Sequence, residues 1–223
     1  MYMRGAADGR KALFKAFSAA KSAYVVEFSP LDDRELYTWL SSRFKRAGKS
    51  ISRDVADQLK FRAGTDLTRL DGEADKLIAH AGERGEILPE DLDVVTPTLE
   101  CTIFQLIDDL VAHNGAGAYR RLAIMHDGGE DDVRVLAMIT RQMRFMAHIK
   151  LMQAKRVRDD EIIKALGINP YGLRNTRRQL GAFTEERLER AYRDCVDAEY
   201  AIKSGAMSDE EALGRLMLNW LNS

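Results

Sequence analysis

The chain has 223 residues, 45% hydrophobic and 31% charged, which is enough apolar material for one large domain or two small ones. Its 34 Lys and Arg against 35 Asp and Glu give a formal charge of -1, so bulk attraction to nucleic acid or anionic lipid is not written into the composition. With 16 Gly, 4 Pro and 2 Cys, low-complexity disorder, a turn-rich all-β fold and a disulfide framework are excluded, and the chain reads as a soluble cytoplasmic protein.

In chain order, Leu13, Phe14 and Phe17 share one helical face, and the β-branched and aromatic run 23–28 (AYVVEF) reads as the one convincing strand. Leu36, Trp39, Leu40 and Phe44 predict a helix from Asp32, followed by Gly48. Ser52 caps a second helix carrying Val55 and Leu59 and ended by Gly64. A third runs from about Asp66 to Ala81, and a short helical turn falls at 89–95. Thr96-Pro97 marks a boundary, because a residue before proline is driven out of the helical region.

The second block is also helical. Residues 99–113 carry a dense apolar stripe, with Asn114-Gly115 as the stop, and 118–125 follow. Residues 132–157 form the longest periodic run; Asp159 is the expected cap of the next short helix. Asn169-Pro170 pairs a favourable cap with proline at the first helical position. Thr184 opens a helix closed by Gly205, and Ser208 with Glu211 forms a capping box for the last.

Motifs for chemistry are weak. Gly48-Lys49-Ser50 resembles the tail of a phosphate-binding loop, but Arg43 stands where that motif needs glycine, and a helix precedes it instead of a strand. His80, His113, His126 and His148 are scattered, and Cys101 and Cys195 lack partners at metal-finger spacing. The methionines at 138, 143, 146 and 152 read as gap-filling core rather than a cofactor box. No catalytic, cofactor-binding or metal-binding residue is assigned, and no cofactor is expected. Residues 160–180 have the outline of a helix-turn-helix, with Arg174, Arg177 and Arg178 on its second helix. A helical DNA-binding regulator is therefore the alternative to an interaction protein.

The order of landmarks resembles the bacterial DNA polymerase III delta subunit family, the clamp-opening members of the clamp loader. These landmarks are Asp8, Arg10, Lys11, Leu13 and Lys15, the strand Tyr24–Phe28, and Leu36 with Trp39-Leu40. They continue through Gly64, Asp66-Leu67 and Leu70, then Glu73, Lys76-Leu77 and Glu90-Asp91-Leu92. In the second block they are Phe104, Leu106 and Asp108, Arg141-Gln142 with Arg144, and Lys150. Ile163, Leu166-Gly167, Pro170, Asp197, Ile202-Lys203 and Gly205 complete the series.

The resemblance implies an all-α chain: a remnant of an ATPase-like N-terminal domain at 1–28, a small helical AAA+-type lid at 29–97, and a helical collar at 98–223 that joins subunits in a ring. It implies a role in DNA replication without catalytic activity of its own, within the DNA polymerase III holoenzyme, a nucleotidyltransferase. The partners are the other loader subunits, with DNA reached through the assembled complex. Most of the family's clamp-gripping domain is not in the chain as given, so the resemblance implies the sliding clamp as a partner only where that N-terminal domain is present. In the lid, no arginine directly follows Leu67, and Arg69 is not assigned a nucleotide-sensing role.

Overall fold

The computed structural model describes residues 12–20 and 29–222. The expected strand at 23–28 lies outside them. Helix α1 covers Ala12–Ala19. The first helical group comprises α2 (Asp33–Arg46), α3 (Arg53–Ala63) and α4 (Leu67–Ala81), followed by a 3-10 turn at Pro89–Val94. The second comprises α5 (Leu99–Val111), α6 (Gly115–Asp127), α7 (Asp132–Ala154), α8 (Asp159–Leu166), α9 (Pro170–Leu180), α10 (Glu185–Lys203) and α11 (Asp209–Leu221).

Local chemistry sets most of these ends. The side chains of Asp32, Ser52, Asp66, Thr98, Asp131, Asn169, Thr184 and Ser208 each accept a hydrogen bond from a backbone N–H in the first turn of the following helix. Gly167 ends α8 in the left-handed region, φ +64°, where a side chain would be strained.

Three expectations need correction. Asn114 does not stop a helix but begins one: its Oδ1 accepts from Gly117 N–H at 3.1 Å, so α6 starts at Gly115. Asp159 does not cap α8, since Arg158 occupies that position without a side-chain bond, and Asp159 faces Arg177 instead. The first helical group also contains two strands the sequence reading did not place. β1 (Ser50–Ile51) and β2 (Glu86–Ile87) pair in parallel, with Ser50 opposite Glu86 and Ile51 opposite Ile87. Each buries its isoleucine and exposes its polar residue.

Buried side chains form two large clusters with no common member. One gathers residues 36–95 around Leu40, Phe44, Leu59, Leu70, Leu77 and Leu92. The other gathers residues 103–220 around Leu106, Ile107, Leu110, Met143, Met146 and Cys195. A small third cluster, Ile149, Ile162 and Leu173, fastens α8 and α9 to the end of α7.

The segment between the two large clusters is fixed at several points. Arg69 donates to the carbonyls of Thr96 (3.0 Å) and Pro97 (3.3 Å). Buried Glu73 accepts from Thr96 N–H at 3.2 Å, and Lys76 bonds both Glu73 and Thr96 Oγ1 at 2.9 Å. Thr98 N–H reaches Arg62 O at 2.7 Å. Beside this segment Phe61 of α3 meets Phe104 of α5 edge-on at 4.9 Å and Tyr171 of α9 at 5.1 Å.

Candidate functional site

Each residue type that could carry chemistry has a structural employment. Lys49, the lysine of the phosphate-loop look-alike, is almost wholly buried, and its ammonium donates to Gly82 O and Arg84 O, both at 2.7 Å. Those carbonyls lie just beyond the C-terminal end of α4, where the helix dipole favours a cation. The ammonium is thereby committed to the turn that brings β2 alongside β1. Arg69 is likewise committed, to the Thr96 and Pro97 carbonyls.

The histidines are dispersed. His113, at φ +55°, places Nδ1 2.7 Å from Leu221 O, and His126 Nε2 lies 2.6 Å from Asp132 Oδ1. His80 stands 3.6 Å from Asp91, and His148 is exposed on α7. Among the described residues no three His, Cys, Asp or Glu side chains form a metal-binding group. Both cysteines are buried. Burial pushes the Cys101 thiol up to about 11 and the Cys195 thiol up to about 12. Such thiols are almost entirely protonated at neutral pH and are poor nucleophiles. Met143 and Met146 are fully buried, and Met138 and Met152 pack against the clusters, so the methionines serve as core.

The helix-turn-helix outline at 160–180 is present as α8, a Gly167 turn and α9. Its arginines, however, are engaged within the chain. Arg177 forms a two-pronged bond to Asp159 at 2.6 and 2.7 Å. This bond holds the Asp159 carboxyl below the ordinary aspartate range. Arg178 pairs with Asp108 at 2.7 Å, and Arg174 lies over the Tyr171 ring with Asp54 3.4 Å away. Asp108 of α5 is therefore tied to α9.

On the inner side of α9, Gln179 and Thr176 are buried against Gln142 of α7. This polar seam joins α5, α7 and α9, and no sequence motif announced it.

What remains available is outward-facing surface on the second helical group. Two exposed apolar side chains one turn apart on α10, Val196 and Tyr200 (72% accessible), face solvent, as does Leu218 on α11. A cavity of ≈ 290 Å³ opens where α5, α10 and α11 meet, lined by Leu110, Phe183, Arg187, Arg190 and Trp220. Thr184 and Glu186 also line it, and the Thr184 hydroxyl is committed to capping α10, accepting from Arg187 N–H at 3.1 Å. No helix among the described residues is long and apolar enough to cross a membrane.

The comparisons with known proteins agree in direction. The family described as DNA polymerase III delta subunit, C-terminal domain, matches residues 100–220. DNA polymerase III subunit delta of Bacillus subtilis is 26% identical over 212 residues, covering 95% of this chain and 60% of that protein. Among solved structures, the Bacillus subtilis DNA clamp loader delta protein superposes with a TM-score of 0.68 at 24% identity. That match covers 97% of this chain and 63% of the other, and at this identity it is a likeness of fold. The chain thus spans about three-fifths of the length of these relatives.

Proposed function

Because this chain belongs to the DNA polymerase III delta subunit family, we propose that it serves DNA replication as the delta component of a clamp loader, by assembly and not by catalysis. In this reading, residues 29–97 are the lid-like body, 98–223 are the collar that joins neighbouring loader subunits, and 1–28 are a remnant of an N-terminal domain. The carrying observation is the separate helical core of the second body, which coincides with the family match and presents Val196, Tyr200 and Leu218 outward. Large apolar side chains in solvent at helical spacing are the composition of an interface centre. DNA is reached through the assembled loader, and no clamp-gripping residue is assigned. The helix-turn-helix reading is not favoured, because Arg174, Arg177 and Arg178 each pair with a carboxylate of this chain.

Co-expression with the other loader subunits, followed by size-exclusion chromatography, tests the proposal. The wild-type chain should enter the complex. Val196→Asp with Tyr200→Asp should reduce its incorporation at least tenfold while leaving helicity unchanged. Failure of the wild-type chain to join the loader would remove the reading.

A further inference from the structure

The cavity where α5, α10 and α11 meet, ≈ 290 Å³, is walled by Leu110, Phe183, Ala191 and Trp220, all members of the second buried core. Arg187 and Arg190 of α10 line it as well. Cations without a carboxylate partner are common on this surface, so two arginines alone would mark nothing. What sets these two apart is their place beside an apolar recess that opens to solvent.

Two carboxylates stand near enough on the same helix to neutralise them, and both are turned elsewhere. Glu186 precedes Arg190 by one turn, but its own backbone N–H and the Thr184 hydroxyl bond it and hold its carboxyl below the ordinary glutamate range. Asp194 follows Arg190 by one turn, but its Oδ2 accepts from the Trp220 indole N–H at 3.2 Å. The Arg187 guanidinium lies over the Phe183 ring, 5.5 Å from its centre. Among the described residues neither arginine pairs with a carboxylate.

A second cavity, ≈ 270 Å³, continues along the α10–α11 seam beyond Asp194, lined by Ala198, Met207 and Leu216, with Arg215 exposed at its edge. From Arg187 to Ala201 the helix rises about 21 Å, the span of roughly six extended residues. Val196 and Tyr200 lie on the opposite side of α10, so the seam is separate from the surface on which the assembly reading rests.

We infer that the first cavity receives the C-terminal residue of a partner polypeptide. Its apolar last side chain enters between Phe183 and Trp220, and its terminal carboxylate sits on Arg187 and Arg190. Guanidinium forks match carboxylate oxygens, and a free C-terminus presents that group beside a single side chain. The volume lies at the lower end of small-molecule pockets, which suits one large side chain. The seam beyond gives the upstream residues a path, and Arg215 along it favours acidic ones.

The test is fluorescence anisotropy of the full chain with an N-terminally labelled decapeptide of serine and aspartate that ends in phenylalanine with a free carboxylate. Saturable binding is expected. Amidating the C-terminus, or replacing that phenylalanine with alanine, should weaken it at least tenfold. Arg187→Gln/Arg190→Gln should do the same, whereas Arg193→Gln/Lys203→Gln should leave affinity unchanged. Ala191→Leu, which fills the cavity from its wall without altering charge, should also weaken binding at least tenfold, and circular dichroism checks that each variant folds. N-acetylphenylalanine should compete, but at least tenfold less well than the unlabelled decapeptide. No other loader subunit takes part, so failure here leaves the assembly reading untouched. Absence of saturable binding, equal affinity for the amidated peptide, an unaffected Arg187→Gln/Arg190→Gln variant, or N-acetylphenylalanine competing as well as the decapeptide would overturn the proposal.

Discussion

Gln142 of α7 donates its side-chain N–H to the carbonyl oxygen of Gln179 on α9 at 3.0 Å, in a seam where both side chains are almost fully buried. Gln179 in turn donates to Phe104 O at 2.9 Å and to Asp108 Oδ1 at 2.8 Å on α5. Gln142 also reaches Thr176 Oγ1 at 3.3 Å, whose hydroxyl donates to Gly172 O at 2.9 Å. Three helices distant in sequence are thus tied by one chain of donors and acceptors, and each partner lost leaves another unsatisfied.

Gln179→Leu should therefore destabilise the protein by about 2 kcal/mol, because Gln142 loses its acceptor and the Phe104 carbonyl its donor. Gln142→Leu/Gln179→Leu should cost less than the sum of the two single changes, since the second substitution removes a group already orphaned. Urea unfolding of the four proteins measures this; strict additivity would show that the glutamines act separately.

How far the sequence revealed this molecule depended on how local each determinant was. The caps at Ser52, Asn169, Thr184 and Ser208 were legible because each bonds a backbone N–H three residues along. Asn114 was misread because Asn-Gly also spells a turn; here the left-handed His113 makes the turn and Asn114 opens the next helix. The β1–β2 pairing escaped notice because a two-residue strand has no period to detect and its partner lies 36 positions away. The Gln142–Gln179 seam escaped for a related reason: a polar residue on a helix reads as solvated until a partner from another helix is known.

Lys49 is expected to matter for stability and not for nucleotide. Lys49→Ala removes two charge-assisted bonds to the Gly82 and Arg84 carbonyls and should destabilise the protein by about 2–3 kcal/mol. Isothermal titration of the wild type with ATP should give no saturable heat. A saturable signal abolished by this substitution would return the Gly48-Lys49-Ser50 segment to the phosphate-binding class.

The cysteines should be silent in the folded state. With both thiols pushed far above neutral pH by burial, Ellman's reagent should label neither Cys101 nor Cys195 at pH 7.5 within the time an unfolded control takes to react completely. Rapid labelling of either thiol in native protein would mean that its helix opens locally.

Asp91 gives an acid-side signature. Burial alone would raise its pKa, but the Leu88 N–H, the Arg84 guanidinium and nearby His80 outweigh that, and the carboxyl titrates below the usual aspartate range. A group whose pKa is lower folded than unfolded stabilises fully above the unfolded value, and this contribution is lost as pH falls through the folded value. Its stabilisation should be intact above about pH 5 and decline below about pH 4. Asp91→Asn should lower the thermal midpoint at pH 7 and flatten the acid decline. An unchanged acid limb would assign that decline to other carboxylates.

The contact of Phe61 with Phe104 and Tyr171 should control whether the two hydrophobic bodies unfold together. The large clusters share no buried member, so their coupling rests on the bolted 96–98 segment, this aromatic group and the exposed Arg174–Asp54 pair. The ion pair contributes little, because both side chains are more than half solvated. Phe61 is only partly buried, so Phe61→Ala should cost about 1–3 kcal/mol, below the full loss of a core phenylalanine. The more telling consequence is cooperativity. In the wild type, calorimetric and van't Hoff enthalpies should agree within error, as for a single cooperative unit. In Phe61→Ala the first body, relieved of its neighbour, should melt ahead of the second, and the van't Hoff value should fall below the calorimetric one. Arg174→Ala, which breaks the ion pair and leaves the aromatic group in place, should keep the single transition. If Phe61→Ala also melts in one transition, the bonds of Arg69, Glu73 and Lys76 to residues 96–97 hold the bodies together without it, and replacing Glu73 with Gln in the same background should then separate the two transitions.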